Sequence, residues 1–426
     1  MQNANITELQ KGIYLIQAKA PEPLTAVNNK QRKIINYGAK NNYPQEILRA
    51  INRSSYGASC VKTFASYIFG NGIKVSQDTP FSREIQYYLL THEFMQKIIY
   101  DYAMFGGFAF QCRFNSNGNI AMRSFNGSGI VHVDFSTIRL GNYDETTFDV
   151  RTAWISQDWE QYTKKEYKPI EIELFDVIKA RQAVEDIKQR GTGSYNGQLF
   201  YTKQYKPGEP FYPSPVWAAG LSWIYCDGQI GEFHENNIDN GFFPSVILYH
   251  PGIMSGEKTA DGRDVVDALK EDLEQFQGAE NSGKIFNLFG PSRESAPQLI
   301  PISANNNADL FNTLAEIIEK KIVSAFQMPK LLAGIETPGA LGSTNEIANS
   351  IEMYVSQIQG HIKFVEQEIN RVLQYVEGYD GTKVEFVTNK PISYLDPDFL
   401  AYLDESEIRT SLGYPATRPS QQDTTI

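Results

Sequence analysis

The stretch from Asn305 to Gly378 constrains the fold more than any other part of the chain. From Asn307, a suitable helix N-cap, apolar residues recur at Leu310, Phe311, Leu314, Ile317, Ile318, Ile322 and Phe326, the spacing of an amphipathic helix reaching Gln327. Met328-Pro329 ends it, because proline lacks the N–H that would continue the helix. The run Gly334-Ile335-Glu336-Thr337-Pro338-Gly339-Ala340-Leu341-Gly342 resists regular structure. Ser343-Thr344-Asn345-Glu346 then spells a capping box, in which the serine hydroxyl and the Glu346 carboxylate each satisfy an orphaned backbone N–H. Behind it Ile347, Ile351, Tyr354, Ile358, Ile362, Val365, Ile369, Val372 and Val376 keep helical spacing to Gly378. That helix is about 50 Å long at about 1.5 Å per residue. So long a helix packs either within its own bundle or against copies of itself in a ring, and periodicity does not separate the two.

The rest of the chain predicts an α+β protein, helices first and then a mostly antiparallel sheet, over residues 1–215. After a polar leader, Tyr43-Pro44 opens a helical region. Ile47, Ile51, Val61, Phe64, Tyr67 and Ile68 carry it to Gly70-Asn71-Gly72, and Ser54 to Ser59 divide it into two helices. A further helix is expected from Ser82 to Met104, ending at Gly106-Gly107. Phe108 to Phe114 alternates as a strand, Asn115-Ser116-Asn117-Gly118 turns, and Ile120 to Met122 returns as a hairpin. Ile130 to Phe135, Thr152 to Ile155, Ile170 to Phe175 and Gln198 to Thr202 read as further strands. Past Pro213 and Pro215, a helix from Trp217 to Asn237 stops at Asn240-Gly241. A strand at Pro244–Tyr249, a helix at Arg263–Gln277, and strands at Ile285–Phe289 and Gln298–Ile302 make a small βαββ unit. Val384–Val387 with Ser393-Tyr394 form a last strand pair, and Pro397–Ser411 a last short helix.

Composition argues against several functions. The formal net charge of −11 disfavours a protein that grips nucleic acid, since affinity there comes from Lys and Arg neutralising phosphates. A surface over which DNA must slide is a different case, because it must not grip. Cys60, Cys112 and Cys226 are far apart and odd in number, with no CxxC pair, and are expected as buried free thiols. No apolar run approaches the roughly 18–20 residues of a membrane span, and Met1-Gln2-Asn3-Ala4-Asn5 does not open a signal peptide. A cytosol-like place of assembly is therefore expected. Gly278-Ala279-Glu280-Asn281-Ser282-Gly283-Lys284-Ile285 nearly spells a phosphate-binding loop. Ile285, however, stands where a Ser or Thr would hold magnesium, and the glycines follow a helix and precede a strand, the reverse of the required order. His234-Glu235 lacks a second histidine at zinc-protease spacing, and His92, His132, His250 and His361 are isolated. Asp272 with Glu274 and Asp404 with Glu405 lie in charged helical contexts that suit solvated faces. No catalytic residue, metal site or cofactor is expected, and an enzyme is the minority reading.

Four stretches resemble the portal, or head-to-tail connector, family of tailed bacteriophages. Ser214-Pro215 through Asn240-Gly241-Phe242-Phe243-Pro244-Ser245 is similar to its S-P, helix, N-G-x-x-P-S passage. Gly278 to Lys284 is similar to its G-x-x-N-x-G-K turn. Ile322 to Gly334 resembles I-x-x-x-F-x-V/M-P-x-x-L-x-G, and Glu407-Ile408-Arg409 with Leu412-Gly413-Tyr414-Pro415 resembles E-x-R-x-x-L-G-x-P. The resemblance implies a portal-like fold: residues 1–215 a wing, 216–240 a stem helix, 241–304 a small α/β clip, 305–331 a second stem helix, 332–343 a tunnel loop, 344–377 a long wing helix, and 378–426 the remaining wing with a short crown. It further implies a homo-oligomeric ring, typically a dodecamer, at one capsid vertex of a virion assembled in the host cytoplasm. That ring would conduct double-stranded DNA during packaging and ejection, beside the major capsid protein, and would dock the terminase large subunit and then head-completion or tail adaptor proteins. Thr337, Pro338, Gly339, Ala340 and Leu341 would form the tip of the tunnel loop, with Lys320, Lys321 and Lys330 as candidate phosphate contacts. A ring-forming structural or adaptor protein without DNA in its channel is the alternative.

Overall fold

The computed structural model describes residues 5–8, 14–17, 24–124, 127–159, 168–191, 195, 197–239, 246–251, 285–290, 308–334, 344–388 and 404–411. The chain divides into two compact units, one of Met1–Ser222 with Lys320–Ile426 and one of Trp223–Glu319. Both helix and strand are present in each, so the α+β expectation holds.

The larger unit begins with two antiparallel hairpins inside the polar leader: β1 (Asn5–Glu8) with β2 (Tyr14–Gln17), and β3 (Ala26–Asn29) with β4 (Ile34–Tyr37). Helix α1 (Tyr43–Arg53) has Pro44 in its first turn, and α2 (Ser55–Phe69) follows after one residue. That residue, Ser54, ends α1 and caps α2, its Oγ accepting from the Gly57 N–H at 2.9 Å. The break is thus a single capping serine and not the whole small polar stretch. Strand β5 (Ile73–Val75) comes next.

The single helix expected from Ser82 to Met104 does not form. Helix α3 (Pro80–Glu84) runs into a π-helical turn, Ile85–Leu89, and α4 (His92–Phe105) starts afresh. The wider turn, closed by Leu90 N–H to the Ile85 carbonyl at 2.7 Å, lets Ile85, Leu89 and Leu90 all reach the core. Thr91 then caps the new helix, its Oγ1 accepting from the Phe94 N–H. Helix α4 ends at Gly106 in the left-handed region (φ 82°), where a Cβ would stand 2.7 Å from the Ser214 carbonyl oxygen, so only glycine fits.

The central sheet is built from β6 (Gly107–Cys112), β9 (Ile130–His132), β10 (Ile138–Leu140), β11 (Thr152–Ile155), β12 (Ile170–Leu174) and β13 (Gln198–Lys203), in the order β10-β11-β12-β13-β6-β9. A small hairpin of β7 (Arg123–Ser124) and β8 (Gly127–Ser128) precedes β9. The turn after β6 forms as expected, but its return strand is reduced to one bridge, Phe114 with Ile120, because β6 is already paired on both sides, with β13 and β9. One pair, β12 with β13, is parallel. A parallel pair needs a crossover, and here it is helix α5 (Val177–Arg190), capped by Asp176 and closed by Gly191. The sequence reading passed over this helix: of its residues only Ala180 is buried, so its periodicity is weak.

Aromatic side chains fill the interior. Phe110 packs against Phe94 and Phe200, with ring centroids 5.5 and 4.8 Å apart. Phe364 contributes from above, stacked on Tyr102 at 5.4 Å. A fully buried side chain of this size contributes about 1.5–3 kcal/mol.

The smaller unit holds most of α6 (Leu221–Asp239), the parallel pair β14 (Val246–Pro251) and β15 (Ile285–Gly290), and the first part of α7 (Ala308–Ala325). The expected helix at residues 263–277 and strand at 298–302 lie outside the described residues.

Returning to the larger unit, α8 (Thr344–Leu373) is 30 residues long, about 45 Å. Ser343 lies outside the described residues. The helix stops at Leu373, short of Gly378, where Val376 bridges to Ile120. From Tyr354 through Ile358, Ile362, Val365, Ile369 and Val372 its stripe is buried within the chain, against α2 and β16 (Val384–Phe386). Of the two packings left open by periodicity, the intramolecular one is realised, so the length of this helix is no argument for a ring. β16 pairs with β5, far upstream; residues 393–394 of the expected strand pair lie outside the described residues. Helix α9 (Glu405–Ser411) is the last described element and starts later than expected.

Candidate functional site: the two roots of residues 335–343

Thr337, Pro338, Gly339, Ala340 and Leu341 lie outside the described residues. Their two flanks are described, and both belong to the larger unit. On the upstream side α7 ends at Ala325, where Gly220 admits close approach: a Cβ there would stand 2.6 Å from the Ala325 Cβ. Next to it Trp217, fully buried, stacks on Phe326 with centroids 5.4 Å apart and rings inclined by 19°. The indole N–H donates to the Ala103 carbonyl at 2.9 Å. That carbonyl belongs to the last turn of α4, where helix carbonyls have no intrahelical partner, so one side chain both packs α7 and completes α4.

Past this anchor Gln327 adopts a left-handed backbone (φ 53°) and Met328 is buried. Pro329 leads into a single 3-10 turn, Lys330–Ala333, ended by Gly334 at φ 77°. The turn packs on α2 and on α8. The downstream flank is α8 itself, and its first exposed apolar residues are Ile347 and Met353. Tyr354 meets Tyr67 of α2 edge-on at 5.1 Å, and His361 Nδ1 shares a 2.7 Å hydrogen bond with the Tyr102 hydroxyl. Further along, the Asn370 amide pairs with both the N–H and the carbonyl of Val384, each at 2.8 Å, and Glu366 accepts from the Phe386 N–H. Glu377 accepts from the Met122 N–H and the Asn115 side chain. Segment 335–343 is therefore tied at both ends to one helical core.

Of the candidate phosphate contacts, Lys320 and Lys321 are exposed on the last turns of α7, and Lys330 is exposed at the start of the 3-10 turn. Both sets lie within the flank of the segment. Among the described residues no group of three or more His, Cys, Asp or Glu is arranged to hold a metal. Residues 278–284 of the apparent phosphate-binding loop lie outside the described residues, and Ile285 opens strand β15. Cys60 and Cys112 are buried as expected, and burial pushes the Cys60 thiol up to about 12; Cys226 is exposed, against expectation.

Two buried polar sites escaped the sequence reading. Arg139 is completely buried, and its five N–H groups meet five uncharged acceptors: Asn41 Oδ1 and carbonyl, Gln45 Oε1, and the Ser136 and Ile138 carbonyls. Desolvation lowers its pKa to about 10. Asp101 accepts from His132 Nε2 at 2.8 Å and from the Phe135 N–H, yet burial raises it to about 6. Both sites pin loops to helices.

No family model matches the chain, and no curated protein matches it. Among solved structures, a chain from the neck of an empty gene transfer agent particle, computed with sixfold symmetry, is 15% identical with a TM-score of 0.48, covering 88% of this chain and 94% of that one. A chain of the native gene transfer agent virion is 16% identical with a TM-score of 0.49, over 88% and 94%. A chain of the native particle's neck, computed with twelvefold symmetry, is 14% identical with a TM-score of 0.48, over 88% and 95%. Likeness at this level carries no argument about function. No helix among the described residues is long and apolar enough to cross a membrane.

Proposed function

We propose that this chain is a phage portal subunit: a ring-forming protein of one capsid vertex, through which double-stranded DNA enters and leaves a virion. The observation that carries the reading is the order of parts around residues 335–343. A smaller unit, Trp223–Glu319, is inserted between the start of α6 and the end of α7, the chain returns through the Trp217–Phe326 anchor, and the Pro/Gly segment follows with both flanks tied to one core. Of the four family-like passages, one includes α6, one spans the α7 exit and Glu407–Arg409 lie in α9, while Gly278–Lys284 and Leu412–Pro415 lie outside the described residues.

In this reading residues 332–343 form the tunnel loop, and Thr337 to Leu341 face DNA without long cations at the tip. Lys320, Lys321 and Lys330 stand back from it as transient phosphate contacts. The net charge of −11 suits a conduit that must release what passes through it. The protein is a passive path: the terminase large subunit would hydrolyse ATP, and head-completion or tail adaptors would replace it on the same face, with the major capsid protein around the ring. A dodecamer is the assembly proposed.

Deleting Pro338 to Leu341 tests the loop. Rings are expected to form as in the wild type, while packaging or DNA retention falls; normal virion yield from the deletion would reject the loop's role. Rings that exclude duplex DNA would favour the alternative, a structural adaptor.

A further inference from the structure

The turn between β10 and β11 displays an aromatic side chain at a conformational cost. Phe148 lies in the left-handed region (φ 60°), a backbone that a bulky L-residue adopts only at a penalty of roughly 1–2 kcal/mol, yet its side chain is 66% exposed. The surrounding turn is built to hold it there. Phe148 N–H donates to the Asp144 carbonyl at 2.7 Å, and the Asp144 carboxylate accepts from the Thr146 and Thr147 N–H groups. Lys30 from the β3–β4 turn pairs with Glu145, and the Phe148 ring stacks on Tyr143, which stacks on Phe211 at 5.0 Å. Asp144 and Asp149 give the tip a negative rim, both exposed.

At the opposite edge of the same sheet lies a surface of matching character. The π-helical turn presents Tyr87, 74% exposed, edge-on to Tyr88 at 4.6 Å. The exposed guanidinium of Arg123, in β7, sits 3.8 Å above the Tyr88 ring centroid. This patch adjoins β8, which leads directly into edge strand β9. The tip adjoins β10, at the other end of the order β10-β11-β12-β13-β6-β9. The two surfaces flank different edge strands of the sheet, and among the described residues no ring contact or ion pair joins one to the other within the chain.

We propose that they meet between chains: the Phe148 tip of one copy seats on the Tyr87–Tyr88–Arg123 patch of the next. Ring faces stack, and the Asp144 and Asp149 carboxylates face the Arg123 guanidinium. The contact joins two different surfaces, hence head to tail, the arrangement that generates rings or filaments and not closed twofold dimers. Tyrosine and arginine are also the residues that most often dominate such contacts. The inference rests on the ring reading above and names the surfaces that would build that ring.

The test uses the purified full chain. Phe148→Gly removes the ring and accepts the left-handed backbone without penalty. We expect its thermal midpoint to equal or exceed the wild type's, while the concentration at which half the chains are assembled, measured by sedimentation velocity, rises at least tenfold. Arg123→Asp should raise it similarly, and combining it with Asp149→Arg should restore most of the loss. In a Cys226→Ser background, Phe148→Cys with Tyr87→Cys should give a ladder of disulfide-linked oligomers on oxidation. Assembly of Phe148→Gly at the wild-type concentration, or no ladder from an assembled double-cysteine chain, overturns this contact and leaves the ring reading standing. A wild-type chain that stays monomeric at every concentration overturns the ring reading itself.

Discussion

Replacing Trp217 by Phe isolates the hydrogen bond that links the α7 exit to α4. Phenylalanine keeps an aromatic ring against Phe326, now 5.4 Å from the indole, but leaves the Ala103 carbonyl without its donor at a site where Trp217 is 0% exposed. An orphaned buried acceptor costs about 1–3 kcal/mol. The smaller ring adds a void worth about 1 kcal/mol more, so Trp217→Phe should destabilise the chain by about 2–4 kcal/mol. Phe326→Leu removes the stacking partner, and a double-mutant cycle of it with Trp217→Leu, which removes the ring that Trp217→Phe keeps, should give a coupling of about 0.5–1.5 kcal/mol. Urea unfolding followed by far-ultraviolet circular dichroism measures all of these variants. A Trp217→Phe change within about 0.5 kcal/mol of the wild type, with no coupling to Phe326, would refute the claim that this pair roots α7.

Asn370→Ala should cost about 1–3 kcal/mol, because it strands both polar groups of Val384; amide exchange at Val384 should speed up while Phe110 stays protected. Arg139→Lys leaves at least two of five buried acceptors without a donor and should cost about 2–4 kcal/mol in the same urea assay. Acid should weaken the α4–α8 seam through His361, whose pKa burial holds below the usual 6.5. The unfolded chain then takes up the proton first, so His361's contribution is complete above about pH 6.5 and is lost as pH falls below it. Asp101, raised to about 6, works in the opposite sense: its contribution is complete below about pH 3.9 and is lost as pH rises through about 6. His361→Gln should therefore lose less stability than the wild type between pH 7 and 5, and equal losses would reject that assignment.

How much of this was legible in the sequence depends on the range of the cause. Helix stops at Gly70, Gly106 and Pro329 are local chemistry, and they stand where the residues put them. The apolar stripe of α8 was legible too, but not its destination: only the fold shows that Tyr354 to Val372 are consumed by α2 and β16. The pairing of β16 with β5 joins residues about three hundred positions apart, and no local pattern specifies it. Helix α5 hid because a nearly solvent-bound helix has little periodicity, although Asp176 and Gly191 signalled its ends. Neither the burial of Arg139 nor the left-handed backbone of Phe148 has a signature in neighbouring residues. Around the candidate site, the helices on either side of residues 335–343 were legible as helices, while the Trp217–Phe326 anchor was missed because a contact between residues so far apart leaves no spacing to read.

Electron micrographs of the purified full-length chain test the central claim most directly. The account predicts closed rings with a central channel wide enough to pass a DNA duplex. A population that remains monomeric at high concentration, or rings whose channel is closed to a duplex, would contradict it.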